Sequence, residues 1–230
     1  MNIAVILLGG KGKRFGGETP KQFCLVQGKP LFLYSLETFH KNSRIDKILL
    51  VCVKEYLNYL KEVSMPYSKV INVILGGDTR QLSVYEALKY LKSINVNEKD
   101  NILIHDGARA NVSDEIITNS ILKLEKSSAV NTLVPINDTL IQIKDDEFNL
   151  LNRDEIYSVQ TPQSFHFDVI FSAHNHFYNI GKFDFTDDVS MVSELKNNVD
   201  FIVGNKLNFK ITTKEDLELF EAILNLRKSL

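Results

Sequence analysis

The segment Ile3 to Leu8 is an unbroken apolar run that gives way to Gly9-Gly10-Lys11-Gly12-Lys13-Arg14 and then to Pro20-Lys21-Gln22. With no polar residue to supply a solvated face, the run reads as a parallel strand buried on both sides. Such a strand requires a sheet whose two faces are both covered by helices. The glycines after it allow close backbone approach to a ligand and leave N–H groups able to point at anionic oxygens. Arg14 and Lys21 add fixed positive charge beside the turn. Together these residues describe a cradle for a triphosphate.

Two familiar cradles fail on single residues. A Walker loop counted from Gly12 reaches its second glycine at Gly17, but Glu18 stands where lysine is required. A dinucleotide fingerprint fits Gly10 and Gly12, yet Phe15 occupies the third glycine position and no acidic ribose clamp follows. A hydride-transferring enzyme is therefore disfavoured. The net charge of -2 and a pI of about 6.2 give no bulk attraction to nucleic acid or anionic lipid. The local positive charge at the turn thus implies a small anionic ligand.

Apolar runs alternate with helix-period segments along all 230 residues, as expected of one α/β domain. Strands are expected at Ile3–Leu8, Lys47–Val53, Val70–Leu75, Asn101–His105, Ala129–Pro135 and Val199–Val203. Helices are expected at Leu31–His40, Glu55–Val63, Arg80–Leu91, Asp114–Lys126, Asp168–Phe177, Asp187–Leu195 and Lys214–Leu226. Val84, Leu88 and Leu91 form the stripe that packs the third helix on the sheet. Two cysteines, Cys24 and Cys52, cannot build a disulfide framework. With Met1 leading straight into the first strand and no membrane-length apolar stretch, a cytoplasmic location is expected.

One stretch breaks the alternation. Between about 137 and 160, Thr139–Ile143 and Phe148–Leu151 flank Lys144-Asp145-Asp146-Glu147, the pattern of a projecting β-hairpin with a charged tip. A lone two-stranded hairpin is marginal in water, so a second copy of the chain is the expected partner.

Four more clusters follow expected strands, where open α/β sheets bind ligands. They are Gly76-Gly77-Asp78-Thr79-Arg80 through Ser83; His105-Asp106-Gly107-Ala108-Arg109; Arg153 through Gln160-Thr161-Pro162-Gln163; and Gly204 through Asn208-Phe209-Lys210-Ile211-Thr212-Thr213. Asp106 is a hard oxygen donor suited to Mg²⁺, and Arg109 suits phosphate. Lys210 is expected to close a strand. His105 is expected to pack and orient the Asp106 turn. His174 and His176, two apart on a helix, face different ways and do not make a metal pair. Asp187 and Asp188 suit a helix start.

In their order these motifs resemble the cytidylyltransferases that couple CTP to a polyol phosphate, best the 2-C-methyl-D-erythritol 4-phosphate cytidylyltransferase family. The resemblance runs from Ile3 to about Leu217 and also takes in Asp138-Thr139 and Phe185-Thr186-Asp187-Asp188. It implies a Rossmann-like nucleotidyltransferase domain, a β-arm that interlocks two subunits as a homodimer, CTP as co-substrate and Mg²⁺ on the phosphates. It implies that Gly10, Gly12, Arg14 and Lys21, with Leu8 and Gly9, hold the triphosphate. Gly77, Asp78 and Ser83 then contact cytosine and ribose, while Asp106, Gly107, Ala108 and Arg109 close around sugar, metal and acceptor. Thr139, Arg153 and Thr161 grip the acceptor phosphate, partly across the dimer, and Lys210 is a second phosphate lysine. Arg14, Lys21, Arg153 and Lys210 would carry catalysis by neutralising phosphate charge, with no catalytic histidine needed.

Gly107 and Ala110 depart from the Ala-Ala-Arg-Pro common at this place and are expected to loosen the turn. A sister branch, the ribitol-5-phosphate cytidylyltransferases, shares the CTP machinery. Thr186-Asp187-Asp188 and Gln160–Gln163 favour methylerythritol phosphate as acceptor.

Overall fold

A computed structural model of the chain describes residues 1–10, 15 and 19–228. In chain order its elements are β1 (Asn2–Leu7), β2 (Leu25–Val26), β3 (Lys29–Pro30), α1 (Leu31–Lys41), β4 (Lys47–Cys52), α2 (Leu57–Ser64), β5 (Val70–Leu75), α3 (Arg80–Ser93) and β6 (Asn101–Asp106). They continue with α4 (Asp114–Leu124), β7 (Ala129–Pro135), β8 (Leu140–Lys144), β9 (Glu147–Leu151), β10 (Tyr157–His166), α5 (Phe167–Asn179), α6 (Asp188–Glu194), β11 (Asp200–Val203) and α7 (Lys214–Lys228). Seven strands form one sheet in the order β11-β7-β10-β6-β1-β4-β5. Only β10 runs antiparallel to its neighbours, so the sheet is mostly parallel, as a Rossmann-like fold requires.

Alternation along each strand sorts the core into two layers. Ala4, Ile6 and Leu8 pack with Phe32, Leu36 and Phe39 of α1 and with Ile117 and Ile121 of α4. Ile3, Val5 and Leu7 face the other way, onto Val84, Leu88 and Leu91 of α3 and Ile170 and Phe177 of α5. A third cluster, with Phe15, Leu31 and Ile211, docks Phe220 of α7. All three lie against a strand or helix read from its apolar spacing.

Helix starts follow local capping chemistry. Thr79 Oγ1 accepts from the Leu82 N–H at 3.1 Å, Ser113 Oγ from Ile116 at 3.3 Å, and Asp187 Oδ1 from Ser190 at 2.7 Å. At α7 the exchange is reciprocal: Asp216 donates its N–H to Thr213 Oγ1 and its carboxylate accepts the Thr213 N–H.

The expected hairpin is present as β8–β9, but it is shorter than 137–160, because Tyr157–Gln160 already pair with β7 in the main sheet. Asp145 and Asp146, both at positive φ (51° and 63°), make the two-residue connection whose twist suits a hairpin. The pairs Ile141↔Leu150 and Ile143↔Phe148 put four apolar side chains on one face, all more than half exposed. Gln142↔Asn149 and Lys144↔Glu147 occupy the other face. Among the described residues, no helix is long and apolar enough to cross a membrane.

Candidate active site

Parallel register brings the expected clusters to one sheet edge. Leu7 of β1 lies opposite Asp106 of β6 and Val51 of β4, and Cys52 lies opposite Leu75 of β5. The chain then leaves β1 at Leu8-Gly9-Gly10, β5 at Gly76-Gly77 and β6 at Gly107, all at the carboxyl ends of the strands.

The first turn is held by a side chain. Gln22 Nε2, buried, donates to the carbonyls of Leu8 (2.8 Å), Gly10 (3.2 Å) and Gly9 (3.3 Å). In a trans peptide C=O and N–H point oppositely, so the N–H groups of Gly9 and Gly10 face away from Gln22. Gly10 has φ +99°, a conformation that a side chain would strain. Lys21 opens a single 3-10 turn, Lys21–Phe23, anchored by Phe23 stacked on Tyr56 at 3.8 Å. Gly12 and Arg14 lie outside the described residues.

Asp106 is the centre of an ion network. Its Oδ1 accepts from Arg80 Nε at 3.2 Å, and its Oδ2 from Lys210 Nζ at 2.7 Å. Burial opposes its charge, but Arg80 and then Lys210 outweigh burial and hold the carboxyl well below the usual range. Arg80 NH1 reaches a second carboxylate, Asp188 Oδ2, at 2.7 Å. Asp188, 1 % exposed, also accepts from His174 Nε2 at 3.0 Å.

The peptide that carries Asp106 is clamped from the far side. The Asp106 N–H donates to Thr161 Oγ1 (3.1 Å), which lies 3.1 Å from His105 Nδ1, while His105 Nε2 lies 3.1 Å from the Arg109 carbonyl. Burial pushes the His105 imidazole down to about 4, so the ring is neutral. A neutral ring satisfies both contacts when Nε2–H donates to Arg109 O and Nδ1 accepts the Thr161 hydroxyl proton. His105 orients the Asp106 turn, as its position suggested. The Thr161 hydroxyl is committed inside the fold.

Lys210 does not close a strand. Residues 204–213 form an irregular loop tied to β6 and β10: Ile211 N–H donates to Ala108 O (2.9 Å) and Asn208 Nδ2 to Thr161 O (2.9 Å). Arg109 joins the same loop, donating from NH1 to Asn208 O (2.9 Å) and from NH2 to Val159 O (3.1 Å). Its Nε is buried without a partner, and burial lowers its pKa. The Gln160–Gln163 segment does not follow a strand but lies within β10, with a register break between Gln160 and Ser164.

Gly76 and Gly77 pack tightly on the start of α3, where an added Cβ would lie 2.6 Å from Ser83 Oγ or 2.5 Å from Leu82 Cβ. Ser83 Oγ donates to the carbonyls of Thr79 (2.8 Å) and Gly77 (3.1 Å), fixing this turn, and Asp78 is exposed beside it. Gly107 is not loose either. Its missing Cβ is replaced by Leu8 Cδ2, 2.3 Å from where that Cβ would stand, and its N–H donates to Leu7 O at 3.0 Å.

Thr139 and Arg153 lie at the base of the hairpin, both exposed. Arg153 NH1 donates to Asn137 O (3.0 Å), beside a depression lined also by Pro135, Ile136 and Tyr157. Among the described hydrogen bonds and ion pairs, none joins them to the Asp106 network. Sequence reasoning missed Asp188 and His174 as parts of that network and gave Arg80 no role; each meets its partner across a long chain separation that leaves no local pattern.

Among the described residues no cluster of three or more His, Cys, Asp or Glu gathers as a metal cage. A Mg²⁺ carried on triphosphate oxygens needs only one or two carboxylates, and Asp106, held ionised at the carboxyl end of β6, fits that need.

Comparison with known proteins agrees with this geometry. The family model for 2-C-methyl-D-erythritol 4-phosphate cytidylyltransferase (IspD) matches residues 2–226. A curated relative of that name from Thermosipho melanesiensis is 42% identical over 221 residues, covering 95% of this chain and 96% of the relative. One from Clostridium kluyveri is 40% identical over 233 residues, covering 99% and 98%. Among solved structures, the 4-diphosphocytidyl-2C-methyl-D-erythritol synthase of Anaerococcus prevotii superposes with a TM-score of 0.83 at 30% identity, covering 97% of this chain and 98% of that one. The Francisella tularensis cytidylyltransferase gives 0.79 at 29% identity, covering 96% and 99%.

The Leu8–Gly107 contact predicts a coupled pair. Gly107→Ala alone should destabilise the protein by about 1–3 kcal/mol through overpacking, and Leu8→Ala in the same chain should recover part of that loss. Urea denaturation of the four combinations measures the coupling; additive losses would refute it.

His105 predicts a pH dependence. An imidazole whose pKa falls from 6.5 unfolded to about 4 folded binds its proton more readily unfolded, so stability is complete above pH 6.5. It then declines by about 3 kcal/mol as pH falls from 6.5 to 4. In His105→Gln the decline over that window should be shallower by a measurable part of this amount.

Proposed function

The chain belongs to the 2-C-methyl-D-erythritol 4-phosphate cytidylyltransferase family, and from that premise we propose which of its residues carry the reaction. The protein is a CTP-dependent nucleotidyltransferase that transfers CMP from CTP to 2-C-methyl-D-erythritol 4-phosphate. It releases pyrophosphate and forms CDP-methylerythritol for isoprenoid biosynthesis. A phosphate oxygen of the acceptor attacks the α-phosphorus of CTP while the bond to the pyrophosphate oxygen breaks. That nucleophile is ionised at neutral pH, so the protein's task is to align the phosphates and neutralise their charge. His105, neutral and with both ring nitrogens engaged, has no place as a base.

The observation that carries the assignment is Asp106 between Arg80 and Lys210, on the same edge as the Gln22-clamped glycine turn. In our reading the N–H groups of Gly9 and Gly10, with Leu8, Gly12, Arg14 and Lys21, hold the triphosphate. Gly77 and Asp78 meet the nucleoside, and Ser83 shapes their turn. Gly107, Ala108 and Arg109 form the wall behind Asp106. Mg²⁺, when bound on the phosphates, supplies further positive charge there, and Asp106 is the residue that would hold it. Lys210, whose side chain is 40% exposed, exchanges Asp106 for a phosphate oxygen when CTP enters.

We assign the acceptor phosphate to Arg153 and Thr139, with Thr161 acting through the Asp106 backbone. The exposed stripe Ile141, Ile143, Phe148 and Leu150 supports a homodimer in which the arm of one chain covers its partner and delivers Arg153. Residues 1–230 then act as one catalytic domain in the cytoplasm, where all the substrates are water-soluble phosphates.

Pyrophosphate release from CTP tests the activity. Turnover is expected with methylerythritol 4-phosphate and only background with ribitol 5-phosphate; the reverse would transfer the chain to the other acceptor. Lys21→Ala should lower kcat by at least ~10²-fold without unfolding the protein.

The arm has its own test. Arg153→Ala should weaken the acceptor and leave CTP affinity within a few-fold. Mixing Arg153→Ala with Lys21→Ala chains should restore about a quarter of wild-type activity, since random pairing makes half the dimers mixed and each mixed dimer has one intact site. Mixed dimers that form and stay inactive would return Arg153 to its own subunit's site.

A further inference from the structure

Behind the cleft lies a pair that the reaction as described leaves unused. Asp188 is the first residue of α6, and both its oxygens are spoken for: Oδ2 by Arg80 NH1 at 2.7 Å and Oδ1 by His174 Nε2 at 3.0 Å. Its N–H donates to Gln163 Oε1 at 3.0 Å, which fixes it to β10. His174 Nδ1 is buried with no partner. The tautomer that buries no unpaired N–H therefore carries its proton on Nε2 and donates it to Asp188. The ring lies parallel to Tyr85, 6.2 Å between centroids.

A buried ion pair is a weak source of stability, since apolar packing of the same volume does as well. Orientation is what this pair supplies. A guanidinium is rigid and planar, so a carboxylate that holds its NH1 also sets the direction of its Nε–H. Here Asp188 holds NH1, on the edge away from Nε–H, which fixes the plane of the guanidinium; Nε then meets Asp106 Oδ1 while Oδ2 pairs with Lys210. We propose that Asp188, oriented by His174, is a positioning residue for nucleotidyl transfer: by holding NH1 it fixes the Arg80 guanidinium so that Nε is presented to one Asp106 oxygen and the second is left to Lys210. The inference rests on the assignment of Asp106 to the active site.

The test uses Asp188→Asn, His174→Phe and His174→Gln in the full-length protein. Gln can present an N–H near the Nε2 position; Phe keeps the ring and its contact with Tyr85 but has no donor. The Arg80 Nε–H resonance, assigned by its loss in Arg80→Lys, should shift in Asp188→Asn and His174→Phe and hold its place in His174→Gln. With both substrates saturating, kcat should fall about tenfold or more in the first two and stay within about threefold of wild type in His174→Gln. A packing role alone predicts the opposite order, Phe above Gln. An unmoved Arg80 resonance or a wild-type kcat in Asp188→Asn overturns the proposal, and so does His174→Phe outperforming His174→Gln. The position 174 pair and Asp188→Asn each decide the matter if the other fails to fold. Asp106→Asn separates the two levels: full turnover there refutes the site assignment and this inference together. Its loss beside an active Asp188→Asn refutes the positioning role alone.

Discussion

The cleft depends on one carboxylate being held charged at the end of a buried strand. Asp106 is placed by the register of β6 against β1, and its peptide is pinned by Thr161 and His105. Unpaired, a carboxylate there would take up a proton, because burial disfavours its charge. Arg80 and Lys210 prevent that, and they come from 26 and 104 residues away in the chain. The same contacts therefore close the start of α3 and the 204–213 loop onto the sheet edge. Loop positions that would otherwise be free become parts of a site.

The residues whose partners are neighbours in sequence were legible before the structure. Ile3–Leu8 and Lys47–Val53 announce buried strands because Ile3–Leu8 and Ile48–Cys52 meet apolar layers on both faces. Val84, Leu88 and Leu91 announce α3, and Ser113 and Asp187 announce helix starts. β10 was hidden for the opposite reason. Gln160, Thr161, Pro162 and Gln163 offer no apolar run, yet the three polar members are buried because distant groups satisfy them: Asn205 and Asn208 for Gln160, His105 for Thr161, Asn131 and Asp188 for Gln163. Lys210 was expected to close a strand, whereas it lies in an irregular loop whose Ile211 is buried against α7. In the site, glycines and cations were visible as types, but the pairing of Arg80 with two carboxylates was not.

The departure at Gly107 shows how a local rule fails when packing is unseen. Glycine in a turn reads as looseness, since it removes a side chain and frees φ. Here Leu8 fills the space, and the two residues share one volume across adjacent strands. The arm shows the reverse. Its two apolar pieces were legible as a hairpin, and the stripe they form is more than half exposed, although a two-stranded ribbon with that face in water is marginal.

The ion network is unequal in a way that suits a substrate made of phosphates. Lys210 meets Asp106 from a side chain that is 40% exposed, so a phosphate can reach its ammonium from solvent. Arg80 meets Asp188 where the carboxylate is 1% exposed, and removing one partner from such a pair costs about 3–5 kcal/mol. In the proposed site an entering nucleotide would thus meet one cation on an exposed side chain and one held between two carboxylates. Asp106 sits between them, with one oxygen on Arg80 and the other on Lys210. Positive charge can follow the phosphates while the carboxylate that organises the cleft stays where β6 puts it.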